Sequence, residues 1–154
     1  QLDATASAAV PTAATASTWA RSMLSLLNYQ RHANRLPRLT TNTKLVLSAH
    51  RHNLTMAGKN TMPHQRPGAP CLATRITRAG CTWRSAGENI GWNSVETNAG
   101  LNDLEAQMYH ETAPNNGHRL NILNRAYTQV GIDVYFDAAH HKMWFTQDFG
   151  HPAA

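Results

Sequence analysis

The feature that most constrains the fold is an alternation near the carboxyl-terminal end of the chain. Single residues separate the apolar Val130, Ile132, Val134 and Phe136, and this period-two pattern is typical of a strand with one buried face. A short turn and a second apolar segment follow. The pattern predicts an antiparallel hairpin whose apolar face must pack against other elements.

The amino-terminal half has the spacing of helices instead. Apolar residues recur at helical intervals from Trp19 onward, with Ser17 or Thr18 as the predicted N-cap and Pro37 as the end of the helix. A second helix is predicted after a capping segment at residues 41–43.

Three further signals complete the helical half. The second helix is predicted to stop near Gly58, a short helix spans residues 72–78, and another helix begins at Asn102 or Asp103. Helices first and a hairpin last indicate an α+β domain in which helices pack on an antiparallel sheet.

Length and composition fit one folded domain. The chain has 154 residues, of which 42% are hydrophobic and 15% charged, as in globular proteins. We predict a flexible Ala/Ser/Thr-rich segment over residues 1–16 and a single domain over residues 17–151. No apolar run reaches the roughly 18 residues of a membrane span. The net charge of +5 is scattered and matches no nucleic-acid-binding pattern, so we expect neither a membrane span nor a nucleic-acid partner.

The first residues and the two cysteines point to export. The chain begins with Gln and continues through small residues, which is typical of a mature end left after removal of a signal peptide, although trimming of the chain would leave the same pattern. In an exported protein Cys71 and Cys81 would form one short disulfide, and in a cytosolic protein they would be two reduced thiols. Whether the first segment tethers the domain to the cell envelope stays open.

Two short motifs carry the candidate chemistry. Residues 86–91 read AGENIG and residues 117–123 read GHRLNIL, and each places one ionisable side chain beside a glycine. Glu88 and His118 are chemically suited to face each other across a cleft. With His64 and Glu111 they could form a site of two imidazoles and two carboxylates, which suits a divalent metal ion or proton transfer.

Simpler roles are open for the same motifs. Glu88 could accept backbone hydrogen bonds, and His118 could be a hydrogen-bonded core histidine. Asn89 and Asn121 are expected to tie loop backbone through their amide groups. Five of the other histidines fit polar helix faces or a turn, and these are His50, His52, His110, His140 and His141.

Four segments in order resemble a known family. Besides the two motifs, residues 127–132 (YTQVGI) and 144–150 (WFTQDFG) fit it, and the early helix with residues 27–31 fits its usual opening. The chain resembles the secreted CAP superfamily, which is named for cysteine-rich secretory proteins, antigen 5 and pathogenesis-related class 1 proteins. The similarity runs over residues 19–150 and is greatest to the compact bacterial branch.

The resemblance implies a three-layer α-β-α sandwich with a central antiparallel sheet, in an extracellular or cell-envelope protein. It also implies a surface cleft that holds two His and two Glu. By position in the motifs, these are His64, Glu88, Glu111 and His118. Because the turn before the Gly-His pair is longer here than in many bacterial relatives, Glu105 is the alternative to Glu111.

Three functions follow as expectations. The first is a secreted, non-enzymatic binding module that holds a divalent cation such as Zn²⁺ in the four-residue cleft and a lipid or sterol in an apolar groove. The second is a metal-dependent extracellular hydrolase, such as a peptidase. The third is a structural or host-interaction scaffold. We rank binding first and catalysis last, and we expect no organic cofactor. The sequence leaves the ligand, the metal and the oligomeric state open.

Overall fold

The computed structural model describes residues 11–62, 72–80 and 82–153. The helices within these ranges are α1 (Ala13–Ala33), α2 (Thr43–Lys59), α3 (Leu72–Arg78), α4 (Asn98–Tyr109) and α5 (Gly117–Ile122). The strands are β1 (Thr40–Thr41), β2 (Trp83–Asn93), β3 (Gln129–Asp137) and β4 (Lys142–Pro152). His64, Cys71 and Cys81 lie outside the described residues, so the disulfide stays a prediction.

The strands of the described residues form one sheet in the order β1-β3-β4-β2. The predicted hairpin is confirmed, because β3 pairs antiparallel with β4. Strand β2 adds to the other side of β4, also antiparallel, and this register places Glu88 opposite Asp148. Strand β1 pairs parallel with β3 at only two residues, Thr40 with Gln129 and Thr41 with Val130. The sequence did not predict this short parallel strand.

Helices cover both faces of the sheet, which confirms the α+β class and the three-layer sandwich. Successive side chains of a strand point to opposite faces. On β4, Thr146 hydrogen-bonds Asn53 of α2, whereas the neighbouring Gln147 hydrogen-bonds Glu105 of α4. Helices α2 and α3 therefore cover one face, and α1, α4 and α5 cover the other.

The larger apolar core lies between the sheet and the layer of α1 and α4. Its fully buried side chains come from both helices and from the two hairpin strands, and they include Met23, Leu27, Leu101, Val130, Phe145 and Phe149. A smaller cluster lies under α2 and contains Met56, Ala57, Ile90 and Trp144. Among the described residues, no helix combines the length and apolar character needed to cross a membrane.

Two helices begin earlier than predicted. Helix α1 starts at Ala13, and Thr12 is its N-cap because its hydroxyl accepts the N–H of Thr15 at 3.2 Å. The prediction of Ser17 or Thr18 was wrong because alanine is the best helix former, so the small residues extend the helix. Helix α4 likewise starts after Thr97, whose hydroxyl accepts the N–H of Gly100, rather than at Asn102 or Asp103.

A buried arginine connects the first helix to the loop after α5. Arg31 is fully buried, and its guanidinium donates to the carbonyls of Pro37, Ile122 and Asn124 at 2.9–3.0 Å. Burial and the nearby positive charge of Arg125 lower the pKa of Arg31 from its usual value. These bonds fix the carboxyl-terminal end of α5, whose first turn carries His118.

Candidate functional site

The end of the α4–α5 connection brings together two of the predicted site residues. Glu111 and His118 meet with Oε1 of the carboxylate 2.5 Å from Nδ1 of the imidazole. The other carboxylate oxygen of Glu111 accepts the backbone N–H groups of His118 at 3.0 Å and Arg119 at 3.2 Å. Asn116, the residue in the N-cap position of α5, makes no side-chain capping bond. Glu111 therefore caps α5 in its place.

Neighbouring contacts hold this connection in place. The Arg119 guanidinium lies over the Tyr109 ring, 4.7 Å from its centre, and donates to the Tyr109 carbonyl. The amide of Asn34 in the turn after α1 donates to the Tyr109 hydroxyl at 2.9 Å. The last residue of α4 and the first turn of α5 are thus linked to each other and to the end of α1.

The geometry of the pair sets what His118 can do. A carboxylate that accepts the Nδ1 proton fixes the tautomer and orientation of the ring. The Nε2 atom then carries the lone pair and lies on the side of the ring away from Glu111. The side chain of His118 is 33% exposed and that of Glu111 is 22% exposed, so the imidazole can reach a ligand.

A mostly apolar groove adjoins the pair at the β2 edge of the sheet. It encloses about 370 Å³, which lies within the usual range of small-molecule sites. Glu111 and His118 form part of its wall, and the apolar lining comes from Met62, Ile90, Trp92, Leu104, Met108 and Phe145. Met62 and Trp92 are 45% and 40% exposed. We call this space the β2 groove.

Glu88 points away from this pair. Its side chain lies under α3, where Arg75 donates to it in a short ion pair and His52 Nε2 is 3.6 Å from its Oε1. Arg75 also lies 3.9 Å from the carboxylate of Asp148, the cross-strand neighbour of Glu88. Only 3% of the Glu88 side chain is exposed. The structure therefore gives this acid charged partners beneath α3.

The second carboxylate of this cluster has a perturbed acidity. Burial raises the pKa of Asp148 well above its usual range, and the adjacent Glu88 raises it further, while Arg75 and Ser48 act in the opposite direction. Two buried carboxylates side by side are costly unless a cation compensates them. Arg75 supplies that cation from α3.

The asparagines of the two motifs have the structural role predicted for them. Asn121 donates to Glu88 O at 3.1 Å and to Asn89 Oδ1 at 2.9 Å. Asn89 in turn donates to the His118 carbonyl at 3.3 Å and to Gln147 Oε1 at 3.1 Å. These bonds connect α5 to the middle of β2 and β4.

The same network ends on Glu105, the acid that the sequence offered as the alternative to Glu111. Gln147 Nε2 donates to Glu105 Oε2 at 2.6 Å, and Glu105 is fully buried on the inner face of α4. Burial raises the pKa of Glu105 to about 8, although the bond from Gln147 lowers it in part. Of the two acids left open by the sequence, Glu111 contacts His118 and Glu105 lies in the interior.

The four predicted cleft residues thus do not form one set within the described residues. His118 and Glu111 are paired, Glu88 belongs to the Arg75 cluster, and His64 lies outside the described ranges. In this part of the chain, no three His, Cys, Asp or Glu side chains are grouped so that they could hold a metal ion. The described residues alone do not supply a complete metal shell.

The expectation for one helix histidine was wrong. His52 is buried beside Glu88, and the sequence placed it on a polar helix face. His50 remains nearly half exposed but pairs with Asp133 at 3.0 Å. His140 in the hairpin turn pairs with Asp137 at 2.6 Å. Burial favours a higher pKa for Asp137, but hydrogen bonds from Trp144 and His140 outweigh it and lower that pKa.

Sequence reasoning missed Arg75 and Asp148. One signal was present, because Asp148 is the one charged residue between Met143 and Gly150, and a buried charged residue needs a partner. Nothing local identified that partner, since Arg75 is 73 positions away and lies on a short helix with three other basic or polar residues. Met62 and Trp92 were also missed, because the groove forms only when β2 and α4 meet.

Comparisons with solved structures agree with this architecture. An extracellular protein containing an SCP domain from Bacillus anthracis has a TM-score of 0.73 and 26% identity over 88% of this chain. An outer surface protein from Borrelia burgdorferi has a TM-score of 0.75 and 15% identity over 88% of this chain and 94% of its own length. A cysteine-rich secretory protein from Staphylococcus aureus has a TM-score of 0.62 and 20% identity over 87% of this chain.

Length differs among these proteins. This chain spans 41% of the Bacillus anthracis protein and 38% of the Staphylococcus aureus protein. No curated protein matches the chain significantly. The sequence profile of the CAP family, described as the cysteine-rich secretory protein family, matches residues 24–149. Because this match takes in nearly all of the folded part, the chain belongs to the CAP family.

Proposed function

We propose that this protein is an extracellular, non-enzymatic binding module whose ligand site is the β2 groove beside His118. The observation that carries the proposal is the His118–Glu111 pair in the wall of a mostly apolar groove. Binding sites for small molecules commonly combine an apolar lining with a few fixed polar groups. Here Glu111 fixes the polar group, and α4, β2 and β4 supply the lining.

The chemistry of the groove favours an amphiphile, such as a sterol or another lipid. Met62 and Trp92 are large, exposed apolar side chains of the lining, and contact with an apolar ligand would remove their surface from water. A hydroxyl or carboxylate on that ligand would meet His118. Lys142, whose ammonium lies 4.1 Å from the centre of the Trp92 ring, would add a positive charge near the rim.

A divalent cation such as Zn²⁺ is the second ligand that we propose. His118 is the described residue best placed to bind it, through Nε2, because Glu111 orients the ring from behind as carboxylates do for metal-bound histidines. Glu88 is ion-paired with Arg75, which would compete with a metal ion for its carboxylate. The geometry therefore supports Glu111 as an orienting group more than as a direct ligand.

The proposed location rests on the relatives. The Bacillus anthracis protein is described as extracellular and the Borrelia protein as an outer surface protein. We propose that this chain likewise acts outside the cell.

Ligand binding is tested with a fluorescent sterol and a fluorescent fatty acid. We expect saturable binding of at least one probe by the intact chain, and a loss of tenfold or more in affinity for Met62→Glu, which places a charge in the lining. Val95→Glu is the matched control, because Val95 is also exposed but does not line the groove. Equal binding by both variants, or no binding at micromolar protein, would reject the lipid part of the proposal.

Metal binding is tested separately by calorimetry with Zn²⁺. We expect one ion per chain, lost in His118→Ala and retained in His110→Ala, whose exposed imidazole lies outside the groove. Binding that survives His118→Ala would reject this site. The hydrolase alternative stays a prediction, and peptide cleavage that disappears in the same variant would support it over a binding role.

A further inference from the structure

A second groove lies at the opposite edge of the sheet from the β2 groove. It encloses about 580 Å³ between α1 and α2, and the middle of β3 forms its floor. Most of its lining is apolar, including Ala16, Leu24, Val46, Ile132, Val134 and Phe136. His50 of α2 also lines it. We call this space the edge groove.

The floor of the edge groove is an incompletely paired strand. Strand β1 pairs with β3 only at Gln129 and Val130, whereas β3 continues to Asp137. Over residues 131–137 the outer edge of β3 therefore pairs with no strand among the described residues. The stretch that faces the groove, residues 132–136, is five residues or roughly 16 Å long.

Helices α1 and α2 flank this strand edge on both faces of the sheet. Helix α1 packs on one face of β3, where Trp19 meets Phe136 edge to face at 5.2 Å. Helix α2 packs on the opposite face, where Asn53 donates to the Asp133 carbonyl at 2.9 Å. Both helices line the groove, so the space between them continues the plane of the sheet.

The two oppositely charged side chains that line the groove differ in how they are engaged. Asp133 is already engaged, because its Oδ2 contacts His50 at 3.0 Å and Asn53 at 2.9 Å. Arg21 of α1 lines the groove, is exposed, and donates only to the hydroxyl of Thr18 among the bonds of the described residues. An occupant that carries a carboxylate would find a partner in Arg21.

We propose that the edge groove binds an extended peptide segment of a partner protein, which pairs with residues 132–136 of β3 as an additional strand in line with β1. The proposal concerns a different cavity from the β2 groove and goes beyond the function proposed above. Backbone N–H and C=O groups on a strand edge need hydrogen-bond partners. Another peptide backbone supplies both kinds of partner, and this is the basis of strand addition.

A hydrocarbon chain is the main competing occupant. It would match the apolar lining but would leave the edge groups of β3 without partners, which costs free energy for each buried group. A peptide satisfies the edge and also places alternate side chains towards α1 and α2. Apolar residues at those positions and an acidic group near Arg21 define the partner's chemistry.

The test uses a synthetic hexapeptide of alternating Thr and Val with a free carboxylate. Two further versions carry N-methyl groups, one on residues 1, 3 and 5 and the other on residues 2, 4 and 6. Because alternate amides of a strand point to the same side, only one of the two methylated sets faces β3. We expect that version alone to lose binding by tenfold or more in calorimetry. Hydrogen exchange at Ile132, Val134 and Phe136 should slow in the complex with the parent peptide.

A matched pair of variants tests the location. Ser17 and Thr18 are adjacent and exposed, but only Ser17 lines the edge groove. Ser17→Trp should block the peptide and Thr18→Trp should leave binding within twofold. Lauric acid is the competing probe, and its binding in place of the peptide would overturn the proposal. Equal binding of both methylated peptides would also overturn it. The same holds if hydrogen exchange along the β3 edge is slow in the free chain and becomes fast once residues 1–10 are removed.

Discussion

The two faces of the sheet solve the same packing problem with different chemistry. Beneath α2 and α3, the strands present Glu88, Asp148 and Asp133, each matched to a cation or an amide from a helix. Beneath α1 and α4, the same strands present Phe145 and Phe149 in a continuous apolar core. The first face depends on specific partners, and the second depends on shape and on removal of apolar surface from water.

This difference explains why the motif residues separate. Glu88 and Asn89 are neighbours in one motif, but adjacent strand residues face opposite sides. Glu88 therefore joins the charged cluster under α3, and Asn89 joins the amide network that holds α5 and the carbonyl of His118. The charged face fixes α3, and the amide network positions the β2 groove.

Removal of the cation from the charged face should have the largest effect. Arg75→Ala leaves the buried carboxylates of Glu88 and Asp148 without their guanidinium. The loss of one partner from a buried ion pair typically costs about 3–5 kcal/mol, and we expect a decrease of that size in the free energy of unfolding. Urea denaturation at neutral pH measures it.

Two further variants test the cause. Arg78→Ala removes an exposed arginine from the same helix and should change stability by less than about 0.5 kcal/mol. Asp148→Asn should restore part of the stability lost in Arg75→Ala, because it removes one of the two opposed carboxylates. A double variant as unstable as the sum of the two single variants would contradict the charge-compensation argument.

On the apolar face, replacement of the buried acid Glu105 should stabilise the protein instead. Burial raises the pKa of Glu105 to about 8, so the folded protein binds a proton that the unfolded chain, with a pKa near 4.5, has lost at neutral pH. Wild-type stability therefore falls as the pH rises from about 4.5 to about 8. Glu105→Gln cannot ionise and should be more stable than wild type by about 3 kcal/mol at pH 7.

The measurement is urea unfolding of both proteins from pH 4 to pH 9. The difference should be near zero at pH 4, grow through the window and level off above pH 8. Glu96→Gln, in a partly exposed loop, is the control and should show no such trend. A constant difference in unfolding free energy between Glu105→Gln and wild type at every pH would mean that the carboxyl group has the same pKa in the folded and unfolded chain.

The hairpin was predictable because its signal is local. The alternation at residues 130–136 fixes both the strand and the face that each side chain occupies, and the structure confirms it. The cap of α2 at Asn42 was also local, since its side chain accepts the N–H groups of Lys44 and Leu45. Neighbouring residues alone are enough to specify such features.

What could not be predicted depends on contacts distant in sequence. Strand β1 has two residues and no pattern of its own, so it exists only because β3 lies beside it. The side of β2 that Glu88 faces depends on β4 and α3, and neither is near it in the chain. Glu111 could be separated from Glu105 only once α4 and α5 were placed, because Glu105 lies within α4 and Glu111 only two residues after its end.

A glycine on the charged face tests how closely α2 lies on the sheet. A Cβ atom added to Gly131 would lie 2.1 Å from the backbone of Leu45 and Val46, and a helix backbone cannot move aside without displacing α2. Gly131→Ala should therefore destabilise the protein by about 1–3 kcal/mol, the usual cost of overpacking. Thermal unfolding measures the change.

Two other glycines make the comparison sharper. At Gly91, on the apolar face, the closest atoms are at the edge of the Phe145 ring, 2.4 Å away, and a side chain can shift more easily than a helix. Gly91→Ala should cost less than Gly131→Ala. Gly58, within α2, has no atom within 4 Å of an added Cβ, so Gly58→Ala should stabilise the helix by up to about 1 kcal/mol. An equal loss at Gly91 and Gly131 would remove the distinction between the faces.

The smallest effect is expected where the two layers meet at the β2 groove. Glu111→Gln keeps the shape of the side chain but removes the charge that faces the amino-terminal end of α5 and the imidazole of His118. A favourable charge at a helix end contributes about 0.3–1 kcal/mol, so unfolding should change by about that amount. Because the amide can still accept the N–H groups of α5, the fold should persist while the orientation of the imidazole loosens.

Zn²⁺ affinity should then fall about 10-fold or more, with Glu96→Gln as the control. A variant that loses stability but keeps full Zn²⁺ affinity would show that Glu111 only caps the helix, and that the ring of His118 is positioned by its backbone contacts with Asn89 alone.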